Sequence, residues 1–126
     1  LLDLDDFKIF NDTYGHIEGD QVLFKLGLII KRCLRKEDSA YRYGGEEFTI
    51  ILPMTTKDEG MIIAERIREE LKQENFSPIP DKKVHLTVSI GLGQYRKNEA
   101  IKVFVGRVDH LMYESKKSGK DKICSQ

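Results

Sequence analysis

The sequence predicts an α+β domain in which helices flank a central, mixed sheet of five strands. Apolar residues recur every three or four positions in three long segments, which is the period of an amphipathic helix. Apolar and polar residues alternate from Val84 to Gly93, which is the period of a strand. The resulting order of elements is β-α-α-β-β-α-β-α-β. The length of 126 residues fits one domain built in this way.

The chain begins with a predicted strand and two predicted helices. Leu1 to Asp5 has the pattern of a short strand, and Asp6 is a candidate N-cap for a short helix. The turn formers from Asn11 to Gly15 predict the end of that helix. A longer helix with one apolar face is then predicted from Glu18 to Leu34.

A glycine pair joins the next two strand-like runs, Ser39 to Tyr43 and Glu46 to Leu52. Only Gly44 and Gly45 separate these runs. Such a short connection predicts a tight hairpin, because its turn residues need the positive φ angles that glycine adopts without strain.

The second half of the chain contains two helices and two strands. Its predicted elements are a helix over Lys57–Gln73, a loop with Pro78 and Pro80, the alternating strand Val84–Gly93, a helix over Glu99–Lys116 that Gly119 ends, and a short strand over Lys122–Cys124.

Charge and cysteine content exclude several classes of protein. The 21 basic and 21 acidic residues give zero net charge, which argues against a binder of nucleic acid or of membrane surfaces. Cys33 and Cys124 form neither a zinc pattern nor a disulfide framework, so we expect a reducing, cytoplasmic location. No apolar run approaches the roughly 20 residues of a membrane span, and no signal peptide is visible. The chain starts inside a strand without methionine, so we expect a fragment whose upstream part could hold sensor or membrane segments.

An acidic cluster surrounds the end of the first strand. Asp3, Asp5 and Asp6 lie in or directly after a strand whose other residues are apolar and are expected to be buried. Unpaired buried charge is costly, so a partner cation is expected there. A helix N-cap with solvated acids is the alternative interpretation.

A second pair of acids follows the glycine turn. Glu46 shares a predicted strand face with Phe48, while Glu47 points to the other face. The glycines would let the phosphates of a ligand approach the backbone closely. The alternative is an ordinary hairpin with two exposed glutamates.

The two acidic groups together predict a metal site. If the first strand neighbours the hairpin, Asp3 and Glu46 converge. Two carboxylates with a backbone carbonyl and phosphate oxygens suit Mg²⁺ or Mn²⁺, whereas no cluster of cysteine and histidine favours zinc.

Lysines near these acids are candidates for binding phosphate as point charges. Lys8 lies one helical turn past the acidic strand end, and the others surround Gly119: Lys116, Lys117, Lys120 and Lys122. For Lys117 and Lys122, a solvated helix end that complements the helix dipole is an equal alternative.

These motifs, in this order, resemble the GGDEF family of diguanylate cyclases. The matching segments are Leu2–Lys8, Asn11–His16, Gly19–Asp20, Tyr41–Phe48, Val88–Gly91 and Leu111–Lys120. The resemblance spans residues 1–126 but lacks the family's leading N-terminal helix. It implies a fold similar to that of nucleotide cyclases and polymerase palms, with a ferredoxin-like, mostly antiparallel sheet. It also implies an enzyme that condenses two GTP molecules into cyclic di-GMP and pyrophosphate.

The resemblance also implies roles for individual residues. Asp3 and Glu46 would bind the metal with the Leu4 carbonyl, and Glu47 would be a further ligand or assist deprotonation. The substrate-binding residues would be Asn11 and Asp20 for guanine, Gly44 and Gly45 at the turn, and Lys8, Lys116 and Lys120 for the phosphates. Lys120 stands where the family usually has arginine. Lysine keeps the positive charge but cannot form the bidentate contact that arginine makes.

Two further expectations follow from the resemblance. Arg35 and Asp38 match an Arg-x-x-Asp site at which the product inhibits the enzyme, and arginine can bind the O6 and N7 edge of guanine. An ion pair at the helix end is the alternative for this short motif. Each domain would bind one GTP, so catalysis would need a homodimer. A receptor that binds GTP or cyclic di-GMP without converting it is the rival function.

Overall fold

The computed structural model describes residues 1–126 and contains one five-stranded sheet, a separate two-stranded sheet and four helices. In chain order the elements are β1 (Leu2–Leu4), α1 (Phe7–Tyr14), α2 (His16–Cys33), β2 (Ser39–Gly44), β3 (Glu47–Ile51), α3 (Lys57–Gln73), β4 (Phe76–Ile79), β5 (Lys82–Val84), β6 (Val88–Leu92), α4 (Ile101–Lys117) and β7 (Lys122–Ser125). None of the helices is both long and apolar enough to cross a membrane.

The short strand β1 is the centre of the large sheet, whose strand order is β2-β3-β1-β6-β7. It runs antiparallel to β3 on one side and to β6 on the other. β2 and β3 form the antiparallel glycine hairpin, and only β6 and β7 pair in parallel. The predicted α+β class and the mixed, mostly antiparallel sheet are therefore confirmed.

The two faces of the sheet are covered by different helices. Leu2, Leu4, Phe48 and Val88 belong to one buried cluster with the apolar face of α2 and α3, where Leu26 and other helix residues are fully buried. The opposite face of β6 and β7 is covered by α4.

Close packing of α4 depends on small residues. The Ser115 hydroxyl on α4 donates to the Ile90 carbonyl at 2.8 Å. A Cβ on Gly91 would lie only 2.4 Å from the Val108 carbonyl oxygen and the Met112 nitrogen, so the helix backbone rests directly on a side-chain-free position.

The structure corrects the predicted end and cap of the first helix. Asp6 has a left-handed conformation with φ of 58° and its side chain makes no capping hydrogen bond. The helix also continues through the turn formers to Tyr14 and ends at Gly15, whose φ is 93°. Phe10 is buried and its ring lies 4.9 Å from that of Tyr14, so packing outweighs the local preference for a turn.

The structure also shows a hairpin that the sequence pattern did not predict. β4 and β5 pair around the region expected to be a loop, and Pro78 is tolerated in β4 because the two-stranded sheet leaves its strands at an edge. The alternating run is consequently divided: Val84 belongs to β5, and β6 begins only at Val88, which is the residue paired with Leu4 at the end of β1.

Candidate functional site

The central strand brings the two acidic clusters together. Asp3 in β1 lies opposite Glu47 in β3, and the Leu4 N–H donates to the Glu46 carbonyl at 3.3 Å. The condition set by the sequence, that the first strand neighbours the hairpin, is therefore met. The predicted start of the second hairpin strand was wrong by one residue, because Glu46 lies in the turn before β3, and Glu47 is the cross-strand partner of Asp3.

Burial, followed by electrostatic repulsion, raises the proton affinity of both glutamates. Burial, followed by the nearby Asp3 carboxylate, raises the pKa of Glu46 above its usual value. The same two causes, followed by Asp109, raise the pKa of Glu47. A cation placed between these carboxylates would remove the repulsion.

The oxygen donors at the end of the central strand fit a hard cation in chemistry but do not form a complete cluster. Asp3, Glu46 and Glu47 offer carboxylate oxygens and Leu4 offers a carbonyl, which are the ligand types of Mg²⁺. No three acidic, histidine or cysteine side chains of the protein are close enough together to hold a metal by themselves. Water and phosphate oxygens would have to complete the coordination, as Mg²⁺ commonly allows.

Lys116 occupies the oxygens that were predicted to bind metal. Its ammonium lies 2.8 Å from Asp3 Oδ1, 2.9 Å from the Leu4 carbonyl oxygen and 2.9 Å from Asp5 Oδ1. Burial alone would lower the pKa of Lys116, but the hydrogen bonds to Asp3 and Asp5 raise it above the usual value. The lysine was predicted to bind phosphate, and here it neutralises the acidic strand end.

Asp5 is a buried acid next to the site, and the sequence did not reveal its role. It is only 2% exposed, and the sequence pattern did not predict which groups would pair with its charge. Its carboxylate accepts hydrogen bonds from four donors: Ser89 Oγ at 2.6 Å, Thr87 Oγ1 at 2.7 Å, Lys116 Nζ at 2.9 Å and the Asp121 N–H at 3.0 Å. Burial would raise its pKa, but the bonds from Ser89, Lys116 and Thr87 hold the pKa below its usual value.

The remaining lysines differ in their surroundings. Lys120 Nζ lies 2.6 Å from Asp6 Oδ1 at the surface, while Lys8 is exposed and forms no ion pair. Lys122 donates to the Ser118 carbonyl, and Lys117 lies over the Tyr113 ring at 5.6 Å. For Lys117 and Lys122, these contacts favour the helix-end interpretation.

Of the two candidate guanine-binding residues, Asn11 lies where α1 contacts α2, next to the residue that precedes Asp20. Asn11 Oδ1 is buried without a hydrogen-bond partner and points at Gly19, the residue before the exposed Asp20. A buried amide oxygen without a partner is costly and is a feature expected of a side chain that awaits a ligand or water. The structure thus places Asn11 against Gly19, the residue directly before Asp20.

Gly19→Ala should disturb this pocket. A Cβ at position 19 would lie 1.8 Å from Asn11 Oδ1 and 3.1 Å from the ring of the buried Phe7, so the Asn11 side chain must rotate away and the Phe7 ring must shift slightly. We expect binding of guanine nucleotides to weaken while the melting temperature stays within a few degrees. Calorimetric titration and thermal unfolding measure the two quantities. Ala substitution at Gly27, where an added Cβ meets nothing within 4 Å, is the matched control.

The Arg-x-x-Asp motif forms a separate group at the end of α2. Arg35 binds the Asp38 carboxylate through Nε and Nη2, each at 3.1 Å, and also donates to the Thr55 hydroxyl. Hydrogen bonding to Arg35 is the first cause that lowers the pKa of Asp38. The pair borders a cleft of about 540 Å³ that also touches Ala40 and Tyr41. The ion pair that was the alternative interpretation of this motif is therefore present. A ligand that binds Arg35 would have to compete with Asp38 for it.

Comparison with known proteins gives the family context. Residues 1–122 match the family described as "Diguanylate cyclase, GGDEF domain". Diguanylate cyclase A of Treponema denticola is 43% identical over 124 residues, which cover 98% of this chain and 33% of that protein. Diguanylate cyclase DgcM of Escherichia coli K12 is 40% identical over 125 residues, covering 99% and 30%. The chain thus spans about a third of the length of these relatives.

Solved structures agree with this family context. The GGDEF domain of DgcB from Caulobacter crescentus in complex with c-di-GMP superposes with a TM-score of 0.94 at 33% identity, covering 98% of this chain and 74% of that one. The diguanylate cyclase SiaD of Pseudomonas aeruginosa, solved with its activator SiaC, has a TM-score of 0.93 at 34% identity, covering 99% and 48%. From the match over residues 1–122 we conclude that this chain belongs to the GGDEF domain family of diguanylate cyclases.

Proposed function

We propose that this chain is the catalytic domain of a diguanylate cyclase that joins two GTP molecules into cyclic di-GMP and releases pyrophosphate. The observation that supports this most strongly is that Glu46 and Glu47 both lie near Asp3 of the central strand, beside Lys116. Relatives that carry the name diguanylate cyclase match almost the whole chain.

The acidic residues beside the central strand are proposed to hold Mg²⁺ or Mn²⁺. Asp3, Glu46 and the Leu4 carbonyl are the proposed ligands, because they supply oxygen atoms close to a repulsive group of charges. When bound, the metal would supply neutralisation of phosphate charge and acidification of the attacking 3′-hydroxyl. Glu47 is the proposed further ligand or proton acceptor, and its raised pKa suits the second role.

The neighbouring residues are proposed to bind the nucleotide. Asn11 and Asp20 would bind guanine, and Lys8, Lys116 and Lys120 would bind the β- and γ-phosphates. Lys116 would then exchange the Asp3 carboxylate for phosphate oxygens, which are also anionic acceptors.

The glycine turn is proposed to admit the phosphates. A Cβ at Gly44 or Gly45 would meet nothing within 4 Å, so the space beside the turn backbone is open. Arg42 Nε donates to the Gly45 carbonyl at 2.9 Å and so fixes the turn backbone. Open space next to a fixed backbone is what close approach of a phosphate requires.

Two copies are proposed to complete one reaction centre. One site binds one GTP, and the 3′-hydroxyl of each nucleotide attacks the α-phosphate of the other, so two domains must face each other. In the natural protein we propose that a sensor or receiver domain upstream controls this pairing in the cytoplasm.

Conversion of GTP tests the proposed function. The protein is incubated with radiolabelled GTP and Mg²⁺, and the products are separated by chromatography. Cyclic di-GMP that disappears on addition of EDTA supports the cyclase. Label that is retained as unchanged GTP, even at protein concentrations that favour dimers, would instead support a receptor that binds without catalysis.

Arg35→Ala should relieve inhibition by the product. We propose that cyclic di-GMP binds at Arg35 and Asp38, where the guanidinium exchanges its carboxylate partner for the O6 and N7 edge of guanine. Loss of this bidentate contact is worth about 1–3 kcal/mol, so the inhibition constant should rise about tenfold or more. Initial rates at increasing product concentrations measure it. Unchanged inhibition in Arg35→Ala would show that this site is misassigned, and Arg32→Ala, which removes a surface pair with Glu70, is the control.

A further inference from the structure

A left-handed segment presents one of the proposed phosphate-binding lysines. Gly119, Lys120 and Asp121 have φ angles of 122°, 62° and 49° in succession. Only glycine adopts such angles freely, and each non-glycine residue there costs of order 1 kcal/mol. Three such residues in a row persist only where the surroundings hold them, so the direction of the Lys120 side chain depends on contacts elsewhere.

Asp121 provides those contacts. Its side chain binds Arg68 Nη1 at 2.6 Å and Lys72 Nζ at 2.8 Å, both from α3. Its backbone N–H donates to Asp5 Oδ2 at 3.0 Å. Asp121 therefore connects α3 to the buried carboxylate that also binds Lys116.

Arg68 is held rigidly at the other end of this connection. Its side chain is only 13% exposed and also pairs with Glu65 and with Glu69, the latter at 2.7 Å. The hydrogen bonds that Arg68 donates to Glu65 and Asp121 outweigh burial and raise its pKa above its usual range. A guanidinium fixed by three carboxylates is a firm anchor, because its planar donors are pre-organised.

We propose that Arg68 and Asp121 are positioning residues, which aim Lys120 and, through Asp5, Lys116 at the phosphates of the bound nucleotide. Neither residue touches the nucleotide. The inference rests on the proposed function, since the two lysines are assigned to phosphate there. A purely structural role would stabilise the fold without any preference among ligands, whereas a positioning role predicts a loss specific to the β- and γ-phosphates.

Arg68→Met tests this specificity. The probes are 3′-deoxy-GTP, which lacks the attacking hydroxyl and so is not consumed, and GMP, which lacks the β- and γ-phosphates. Calorimetry in Mg²⁺ should show affinity for 3′-deoxy-GTP reduced about tenfold and affinity for GMP unchanged, because the loss of one charge-assisted contact to phosphate has an effect of about this order. Arg66→Met is the matched control, since Arg66 is exposed on the same helix and forms no ion pair; it should leave both affinities unchanged.

A second variant covers the possibility that Arg68→Met does not fold. Asp121→Asn keeps a side chain that tolerates the left-handed conformation, but it replaces the two charge-assisted bonds to Arg68 and Lys72 by at most one weaker, neutral hydrogen bond. It should show the same selective loss for 3′-deoxy-GTP, and in steady-state kinetics a raised KM for GTP with little change in kcat.

The outcomes separate this inference from the proposed function. Equal affinity of folded Arg68→Met or Asp121→Asn and wild type for 3′-deoxy-GTP would overturn the positioning role and leave the cyclase assignment intact. An equal loss for GMP would also overturn it, because the effect would then be structural. A wild-type protein that binds neither probe would overturn the proposed function itself, together with the inference that rests on it.

Discussion

Glu46→Gln is expected to abolish the formation of cyclic di-GMP. The substitution keeps the shape of the side chain but removes the charge that is proposed to bind the metal. Metal-assisted stabilisation of the phosphates is worth several kcal/mol, so we expect a loss of about 10³-fold or more in kcat. Chromatographic measurement of product formed from GTP and Mg²⁺ gives the rate.

The stability of the same variant distinguishes loss of chemistry from loss of fold. Burial and Asp3 raise the pKa of Glu46, so its ionised form is disfavoured in the folded protein. A carboxyl group with a raised folded pKa costs stability at pH values above that pKa, and glutamine removes this cost. We therefore expect an equal or higher melting temperature at neutral pH, measured by circular dichroism.

Glu74→Gln serves as the control for charge removal. Glu74 pairs with Lys25 at 3.5 Å on the surface between α2 and α3, and such exposed pairs contribute little. Its activity and its melting temperature should both match the wild type. Near-normal turnover by Glu46→Gln, on the other hand, would be incompatible with the proposed metal site.

Asp5→Ala is expected to lower the free energy of unfolding by about 3–5 kcal/mol. Removing one partner of a buried charged pair leaves the other uncompensated, and costs of that size are usual. Here the loss would leave the Ser89 hydroxyl, the Asp121 N–H and part of the Lys116 ammonium without their acceptor. Urea denaturation followed by circular dichroism measures the free energy.

The pH dependence of stability gives an independent check on Asp5. Its pKa in the folded protein lies below the usual value, so the folded state binds the proton less readily than the unfolded chain. The stabilisation is therefore fully present above the ordinary pKa of aspartate, near 4, and is lost as the pH falls through the lowered folded value. Wild type should lose this contribution in acid, whereas Asp5→Ala lacks it at every pH.

Asp12→Ala is the matched control for this prediction. Asp12 is exposed on α1 and takes part in no ion pair, so its replacement should change the free energy of unfolding by no more than about 0.5 kcal/mol. If Asp5→Ala were as stable as Asp12→Ala, the four hydrogen bonds to Asp5 would contribute nothing net, contrary to the role inferred from its burial.

The sequence by itself determined the elements whose signals are local. The helix over Lys57–Gln73 has the bounds that its apolar period predicts, because spacing along a helix decides which side chains share a face. The hairpin also forms at the predicted glycine pair, but its two turn residues are Gly45 and Glu46, one position later than predicted; Gly45 has the positive φ of 53° that such a turn needs. The acidic groups were recognised as a candidate site by residue type alone.

Only the tertiary structure decided how distant residues use those signals. The strand order places Asp3 opposite Glu47, and α4 brings Lys116 onto Asp3 and Asp5, which lie more than a hundred positions before it in the sequence. The anchoring of Asp121 by Arg68 is equally invisible in the sequence. Local periodicity encodes the direction of a side chain relative to its own element, but burial and charge pairing depend on which elements become neighbours, and only the packed fold determines that.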